Sequence, residues 1–281
     1  MMKKGLYLVA TPIGNLADIS ERAREVLTAA EYVACEDTRV TRKLLSLLGI
    51  GGHKKFITYH DHNEENMAAG LVDLINRENV ALVLVSDAGS PLISDPGYKL
   101  VRLCREQNVP VFALPGCCAV ITALQLSGLP TNRFMFAGFI PNKDKARADL
   151  FAELAAVDTT LVFYETAPRL TKTLAAMQAI FGDREIAVAR ELTKMFEDCR
   201  NGTARELSAY YDANPIKGEI VMVVAPPAEK NTAEIDLDAV LRQKLSASSL
   251  KTAVAEVVAE YGLNKNEVYQ KAVQIKNEKQ N

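Results

Sequence analysis

The residues best suited to chemistry lie in segment 86–97 (SDAGSPLISDPG), which directly follows the apolar run 80–85. Small residues such as Ala88 and Gly89 let backbone amides and carbonyls approach a ligand closely. The carboxylate of Asp87 is suited to binding hydroxyl or ammonium groups. In open α/β sheets, ligands bind beyond the carboxyl ends of strands. The segment therefore predicts a ligand-binding loop, although its composition fits a helix-capping Gly/Pro loop equally well.

Two further turns follow strand-like runs in the same way. Residues 115–119 (PGCCA) open a helix and so expose free backbone N–H groups, although alone they fit a tightly packed helix start. Residues 10–16 (ATPIGNL) follow the first apolar run. Three loops at one sheet edge predict one shared crevice. The 15 glycines form neither G-x-G-x-x-G nor a Walker A sequence, which disfavours nicotinamide oxidoreductases and P-loop NTPases.

Neither a metal site nor a disulfide framework is expected. The five cysteines form no C-x-x-C pair, and an odd number favours reduced thiols. His53, His60 and His62 lie together, but their spacing suggests no third ligand. The start of the chain is too short in apolar residues for a signal peptide, and no run approaches the roughly 18 apolar residues of a membrane span. We therefore expect a cytoplasmic protein that does not contact a membrane.

Strand-like and helical patterns alternate to about residue 225, which predicts α/β layers around largely parallel sheets. Asp18 and Glu21 have the spacing of a capping box that would open the first helix. The expected strands are residues 5–10, 32–35, 56–59, 80–85, 109–114, 134–139, 160–164, 186–189 and 220–224. The expected domains are residues 1–116, 117–227 and a helical appendage at 228–281.

The appendage has helical patterns at 237–245, 250–261 and 265–276. Its last two helices, joined by Gly262, Leu263 and Asn264, have the outline of a helix-turn-helix. An ordinary helical hairpin is favoured because residues 229–281 contain eight Lys/Arg and eight Asp/Glu. The net charge of −2 means that any RNA contact must come from a local patch.

Several motifs occur together and in order along nearly the whole chain. They are residues 11–16, 36–39 (EDTR), 60–64, 86–97, 115–116, 163–165 (FYE), 189–194 (ARELTK) and 217–219 (KGE). As a set they resemble the tetrapyrrole-methylase superfamily of S-adenosylmethionine-dependent methyltransferases, and within it the bacterial enzymes that methylate a ribose 2′-hydroxyl of a cytidine in 16S ribosomal RNA. The resemblance implies two α/β domains with the cofactor cleft between them, a homodimer, and 16S rRNA or the 30S subunit as partner.

The resemblance also implies roles for particular residues. S-adenosylmethionine would contact Pro12, Asp87, Ala88, Gly89, Ser90, Ile93, Cys118, Ala119, Tyr164 and Leu192. A ribose hydroxyl is a poor nucleophile, so a carboxylate or imidazole must accept its proton, and the candidates are Glu36, Asp37 and His60. RNA would contact Arg39, Arg42, Lys143, Lys145, Arg147, Arg190 and Lys194. Taken alone, the 36–39 turn, the 143–149 stretch and the 190–194 group also fit solvated ion-pair clusters.

Two other functions remain open at this stage. The first is methylation of a tetrapyrrole or precorrin-type small molecule on the same fold, against which residues 36–42 and the helical tail argue, because they resemble the RNA enzymes. The second is a non-catalytic nucleic-acid-binding protein that uses the tail.

Overall fold

Ten strands form two separate five-stranded sheets in the computed structural model, which describes residues 2–228, 236–261 and 264–278. The chain divides into two compact units, Met1–Pro227 and Ala228–Asn281. Both sheets lie in the first unit. We call the part built on the first sheet the first lobe and the part built on the second sheet the second lobe.

The sheet of the first lobe has the strand order β3-β2-β4-β1-β5, and every pairing is parallel. Its strands are β1 (Gly5–Val9), β2 (Tyr32–Cys35), β3 (Lys55–Thr58), β4 (Ala81–Val85) and β5 (Val111–Leu114). Its helices are α1 (Glu21–Ala29), α2 (Thr38–Leu47), α3 (Glu64–Glu78) and α4 (Tyr98–Glu106). The parallel arrangement expected from the alternating pattern is therefore present in this lobe.

Burial on both faces explains why β4 is apolar at every position. Leu82 and Leu84 pack in one core cluster, while Val83 and Val85 pack in the cluster on the opposite face. Parallel sheets covered by helices on both faces require such continuous apolar strands.

The sheet of the second lobe has the order β6-β7-β10-β8-β9 and is mixed. Its strands are β6 (Phe134–Phe139), β7 (Thr160–Thr166), β8 (Glu185–Arg190), β9 (Asp198–Thr203) and β10 (Glu219–Val224). The helices that follow its strands are α6 (Asp144–Leu154), α7 (Leu170–Phe181) and α8 (Ala204–Ala213), and α5 (Ala119–Ser127) packs on the other face. Along β10, Ile220 and Met222 face the core of α6 to α8, whereas Val221 and Val223 face α5.

The expectation of a largely parallel sheet is wrong for the second lobe. Only β6 and β7 pair in parallel, whereas β10 runs antiparallel to both of its neighbours and β9 antiparallel to β8. Strand β9 (DCRNGT) was not expected from the sequence at all. It is a polar edge strand, so it lacks the apolar alternation that marks a strand with a buried face.

The first helix also begins differently from the expectation. Ser20, and not Asp18, is the N-cap of α1, and its side chain accepts a hydrogen bond from the backbone N–H of Ala23 at 3.1 Å. Asp18 lies instead in a short 3₁₀ turn that Asn15 caps. The expected Asp18–Glu21 capping box is therefore wrong, since the preceding turn displaces Asp18 from the cap position.

The second unit contains α9 (Leu237–Ala247), α10 (Leu250–Tyr261) and α11 (Lys265–Glu278) around a small core of its own. Leu241, Val257 and Ile275 are almost fully buried there. The expected break at Gly262 and Leu263 lies outside the described residues. No helix in the described ranges combines the length and apolar character that crossing a membrane requires.

Candidate active site

An open cavity of about 320 Å³ lies where the loop after β4 faces strand ends of the second lobe. The second lobe contributes the end of β7, the turn after β8 and the start of β10, with Phe139 and Ala119 completing the wall. From the first lobe the lining residues are Ile13, Asp87, Ala88, Ile93, Ser94 and Asp95. A crevice between the lobes therefore exists at the carboxyl end of the first sheet.

The three loops singled out in the sequence are tied to one another. Thr11 and Gly89 exchange two backbone hydrogen bonds, at 2.9 and 3.0 Å, and the Thr11 hydroxyl donates to the carbonyl of Ser86 at 3.1 Å. The Ser90 hydroxyl donates to the carbonyl of Cys117 at 2.9 Å. These bonds hold the loops in place before any ligand binds, which reduces the ordering that binding would otherwise require.

Backbone strain is concentrated on both sides of the cavity. Leu92 and Ser94 in the first lobe, and Glu191 and Thr193 in the second, have positive φ values between 49° and 72°. Left-handed backbone is costly for residues other than glycine and persists mainly at functional sites. In each pair, the residue between the two strained positions lines the cavity.

The ten residues expected to hold the cofactor fall into two groups. Six of them line the cavity, namely Asp87, Ala88, Ile93, Ala119, Tyr164 and Leu192. The other four belong to the loops that shape it, since Gly89 and Ser90 make the bonds described above, Pro12 follows Thr11, and Cys118 is the N-cap of α5. All ten therefore lie in one region: six line the cavity, and the other four belong to the loops that surround it.

Carboxylates gather on the side of the cavity formed by the first lobe. Burial, followed by repulsion from Glu36 and Asp87, raises the pKa of Asp95 to about 6. Burial also raises the pKa of Glu36, with Asp87 and Asp61 adding to the shift. In the described parts of the chain, no three Asp, Glu, His or Cys side chains are arranged to hold a metal ion.

Asp37 and His60 are placed differently from Glu36. Asp37 caps α2 and pairs with Arg39 at 2.6 Å, and these contacts lower the pKa of Asp37 to about 2. So acidic a carboxylate is a weak proton acceptor. The Nδ1 atom of His60 is buried without a hydrogen-bond partner, so this ring has a free nitrogen. Of the three expected bases, Glu36 has the environment that best suits proton transfer.

The cations expected to contact RNA differ in exposure. Arg39 is exposed beside Asp37, and Arg42 is exposed with its guanidinium 4.0 Å from the centre of the Phe56 ring. Lys143 is exposed at the start of α6, and Lys145 is exposed while it pairs with Asp149 at 2.6 Å. All four present positive charge at the surface.

Arg147 is not available to a phosphate. Its side chain is only 4% exposed and is bound to Asp144 at 2.6 Å, so we remove it from the expected set. Arg190 is half-buried beside Asp198, and Lys194 lines the cavity between Glu191 and Glu219. The side chain of Lys194 remains 32% exposed although it pairs with two carboxylates.

Sequence reasoning missed Glu64 as a residue that positions the site. Its buried carboxylate accepts hydrogen bonds from the backbone N–H of Gly97 at 2.8 Å, the N–H of Lys99 at 3.1 Å and the hydroxyl of Tyr59 at 3.1 Å. It therefore caps α4 from the start of α3 and fixes the end of the loop 86–97. Helix caps are usually read from nearby residues, and this one lies more than 30 positions away.

We expect Glu64→Ala to lower the free energy of unfolding by about 2–4 kcal/mol, because it leaves a buried N–H, a partly buried N–H and a buried tyrosine hydroxyl without their charged acceptor. Denaturant unfolding followed by circular dichroism measures the change. Glu65→Ala is the matched control, since Glu65 is the next residue and its exposed pair with Lys99 contributes at most about 0.5 kcal/mol. Equal stability of the two variants would contradict the capping role.

Solved structures with this fold include several methyltransferases. Uroporphyrin-III-C-methyltransferase from Thermus thermophilus is 19% identical, with a TM-score of 0.55 over 79% of this chain and 94% of that chain. Cobalt precorrin-4 methyltransferase is 16% identical, with a TM-score of 0.56 over 78% and 94%. Diphthine synthase is 14% identical, with a TM-score of 0.59 over 78% and 89%. At these identities the likeness establishes the fold alone.

Family models match both units. Residues 5–208 match the model described as Tetrapyrrole (Corrin/Porphyrin) Methylases, and residues 231–276 match the one described as RsmI C-terminal HTH domain. The second match favours the helix-turn-helix outline over the plain hairpin that the charge balance had favoured. The first match, which covers most of the chain, defines the class of the protein as a methyltransferase of the tetrapyrrole-methylase family.

Relatives with the name Ribosomal RNA small subunit methyltransferase I are similar over nearly their whole length. The protein from Erythrobacter litoralis is 50% identical over 98% of this chain and 96% of its own. Those from Haemophilus influenzae and Escherichia coli O157:H7 are 46% and 43% identical, over 94% and 96% of this chain and 95% and 94% of theirs. The chain belongs to this family of the tetrapyrrole methylases. The expected fold class, family and S-adenosylmethionine cofactor are thereby confirmed.

Proposed function

We propose that this protein transfers a methyl group from S-adenosylmethionine to the ribose 2′-hydroxyl of a cytidine in 16S rRNA of the small ribosomal subunit, in the cytoplasm. The observation that carries the proposal is the cavity between the lobes, with acidic side chains on its wall and exposed cations on the same chain, in a relative of the ribosomal RNA methyltransferases. The 16S cytidine and its 2′-oxygen come from the sequence resemblance.

The residues present suit the cofactor. Bound S-adenosylmethionine supplies a methyl group on a positively charged sulfur, which needs no metal for its transfer. Asp87 and Asp95 place negative charge in a cavity wall that also carries the apolar side chains of Ile93 and Leu192. Ala119 is the first residue of α5, whose N-cap makes no side-chain hydrogen bond, and the N–H groups of a helix's first turn suit a carboxylate. This combination matches a ligand with an apolar body, two cationic groups and a carboxylate.

Proton removal from the acceptor hydroxyl is assigned to the carboxylates of Glu36 and Asp95. Burial raises the pKa of both groups, and the charge of Glu36 raises that of Asp95 further, so a carboxylate here is a stronger base than in water. Asp95 lines the cavity, and Glu36 is near enough for its charge to raise the pKa of Asp95. The backbone N–H of Asp37 donates to Asp87 at 3.3 Å and so holds a further carboxylate of the cavity wall in place.

Exposed cations would bind the phosphates of the RNA. We expect Arg42→Ala to weaken binding of small-subunit RNA and to reduce the slope of log affinity against log salt by about 1, because one phosphate contact is lost. Arg42→Lys keeps the charge and most of the slope. Filter binding between 50 mM and 200 mM salt, roughly, gives both quantities. Arg22→Ala, exposed on α1, is the matched control, and an equal change of slope there would contradict a local RNA surface.

The decisive experiment follows labelled methyl groups. Purified protein and labelled S-adenosylmethionine are incubated with small subunits, or with their RNA, from a strain that lacks the enzyme. Label in RNA supports the proposal when it lies in a nucleotide whose adjacent phosphodiester bond resists alkaline hydrolysis, because that cleavage needs a free 2′-hydroxyl. Transfer only to a tetrapyrrole or precorrin-type compound would replace it with the small-molecule reaction, and RNA binding by the tail without cofactor binding would replace it with a binding protein.

A homodimer belongs to the same proposal. Helix α5 carries Ile121 and Leu126 at the surface, each more than 40% exposed, and such apolar side chains are typical of subunit interfaces. Sedimentation velocity of the purified protein determines whether one or two chains associate.

A further inference from the structure

Phe139 has an unusual position for a large apolar side chain. It is the last residue of β6, its side chain is 58% exposed, and it lines the cavity between the lobes. Exposed aromatic rings lose the free energy that burial provides, which is about 25 cal/mol for each Å² left in water. A ring left open at a cavity wall is therefore suited to a flat partner from solution.

A β-bulge turns this ring into the cavity. Phe136 pairs with Val162 and Phe139 pairs with Tyr164, so β6 advances by three residues over a stretch in which β7 advances by two. In a regular strand, residues three apart face opposite sides of the sheet. Here both Phe136 and Phe139 lie edge-on to the ring of Tyr164, with centroids 4.8 and 5.2 Å away. Bulges beside active sites commonly redirect a side chain in this manner.

Glycine makes the bulge possible. Gly138 has φ of 73°, a conformation that residues with a Cβ rarely adopt. Its Cα faces the first lobe, since a Cβ built there would lie 4.0 Å from the Ser94 hydroxyl. The strand is thus shaped to present Phe139 opposite the loop that carries Asp95.

The chain that follows Phe139 is electropositive at its surface. Lys143 and Lys145 lie four and six residues further along and are both exposed. An aromatic ring in the cavity wall, followed within six residues of chain by two exposed lysines, suits a nucleotide whose base meets the ring and whose neighbouring phosphates meet the lysines.

We propose that Phe139 is the stacking platform for the nucleobase of the acceptor nucleotide, holding it unstacked from the RNA so that its ribose hydroxyl reaches the carboxylates. The inference rests on the proposed function and adds the recognition of an unpaired base. An enzyme that acts inside a cleft must take the target nucleotide out of its stack, and aromatic rings accept any base face.

The test compares four variants with wild-type protein in methyl transfer to small-subunit RNA. Phe139→Ala and Phe139→Leu are expected to lower kcat/KM for RNA on the order of 10- to 100-fold, because base stacking on an aromatic ring is lost. Phe139→Tyr and Phe139→Trp stay within about 5-fold of wild type, since both keep a flat π face. The dissociation constant for S-adenosylmethionine, measured by calorimetry, remains unchanged in all four.

Matched controls separate stacking from other causes. Phe196→Ala removes a ring that is 67% exposed but lies outside the cavity, and it is expected to retain wild-type kcat/KM. An oligonucleotide that lacks the base at the acceptor position is expected to react equally slowly with wild type and Phe139→Ala, since the ring then has nothing to bind.

Three results would overturn the inference. Weaker S-adenosylmethionine binding by Phe139→Ala would indicate that the ring contacts the adenine of the cofactor and not the base of the RNA. Full activity of Phe139→Leu would reduce its role to apolar packing, and an equal loss in Phe196→Ala would remove the special role of this position. Absence of RNA methylation by the wild-type protein would instead contradict the proposed function itself, a result that the same assay gives before any variant is compared.

Discussion

Asp95→Asn is expected to lower the turnover number for methyl transfer about 10²- to 10⁴-fold, the range that removing a general base produces. Asparagine keeps the shape of the side chain but cannot accept a proton. Single-turnover reactions with labelled S-adenosylmethionine measure the chemical step, and calorimetry measures cofactor binding, which should change much less. Turnover within threefold of wild type would remove Asp95 from proton transfer.

The same assignment predicts a pH dependence. Activity should fall as the pH drops through about 6, where Asp95 becomes protonated. Glu36→Gln removes a neighbouring negative charge, so it should lower the pKa of Asp95 and move this acid limb to lower pH. An unchanged limb in Glu36→Gln would show that another group titrates.

As the pH falls through about 6, the stability of the folded protein should rise while the activity falls. Because the pKa of Asp95 is raised in the folded protein, the folded state binds this proton more tightly than the unfolded state does. Ionised Asp95 therefore disfavours folding above about pH 6, and protonation removes that cost as the pH falls from 6 towards the ordinary value of 3.8. Asp95→Asn should then unfold at a higher temperature than wild type at pH 8, as is common where a site trades stability for activity.

Ala119→Phe is expected to raise the dissociation constant for S-adenosylmethionine at least about 100-fold, a loss of about 3 kcal/mol of binding free energy. Ala119 lines the cavity at the start of α5, and a phenyl group there would occupy much of the space of about 320 Å³. Equilibrium dialysis or calorimetry measures the change.

The matched control for this variant is Ala152→Phe. Ala152 is exposed on α6 and away from the cavity, so the same substitution there should leave cofactor affinity unchanged. Wild-type affinity in Ala119→Phe would move the donor site out of the cavity between the lobes, and with it the assignments of all the surrounding residues.

Patterns of burial made the first lobe and much of the cavity predictable. The composition of the loop after β4 fitted a ligand site and a helix cap equally well, and the structure places this loop in the cavity wall. Strand β2 has the predicted bounds, whereas β7 extends two residues beyond the predicted 160–164. Resemblance to a family then assigned roles that composition left open.

Features set by distant parts of the chain were not predictable. The direction of β10 depends on which strands it lies between, and the polar sequence of β9 gives no periodic signal. Glu64 acts on a helix that begins more than 30 residues later. Arg147 has the same sequence context as the exposed lysines beside it, yet the start of α6 buries it against Asp144.

The order of strands in the second lobe bears on how the protein becomes functional during synthesis. Strand β10 occupies the centre of its sheet, between β7 and β8, but comes last in sequence among the strands of the described residues. Until it has been made, β7 and β8 have no partner joining them, and the lobe consists of two unconnected pairs of strands. Such long-range closure is slow compared with local folding. A nascent chain that ends before residue 219 therefore lacks a complete sheet in the second lobe. It also lacks the part of the cavity wall that the start of β10 forms.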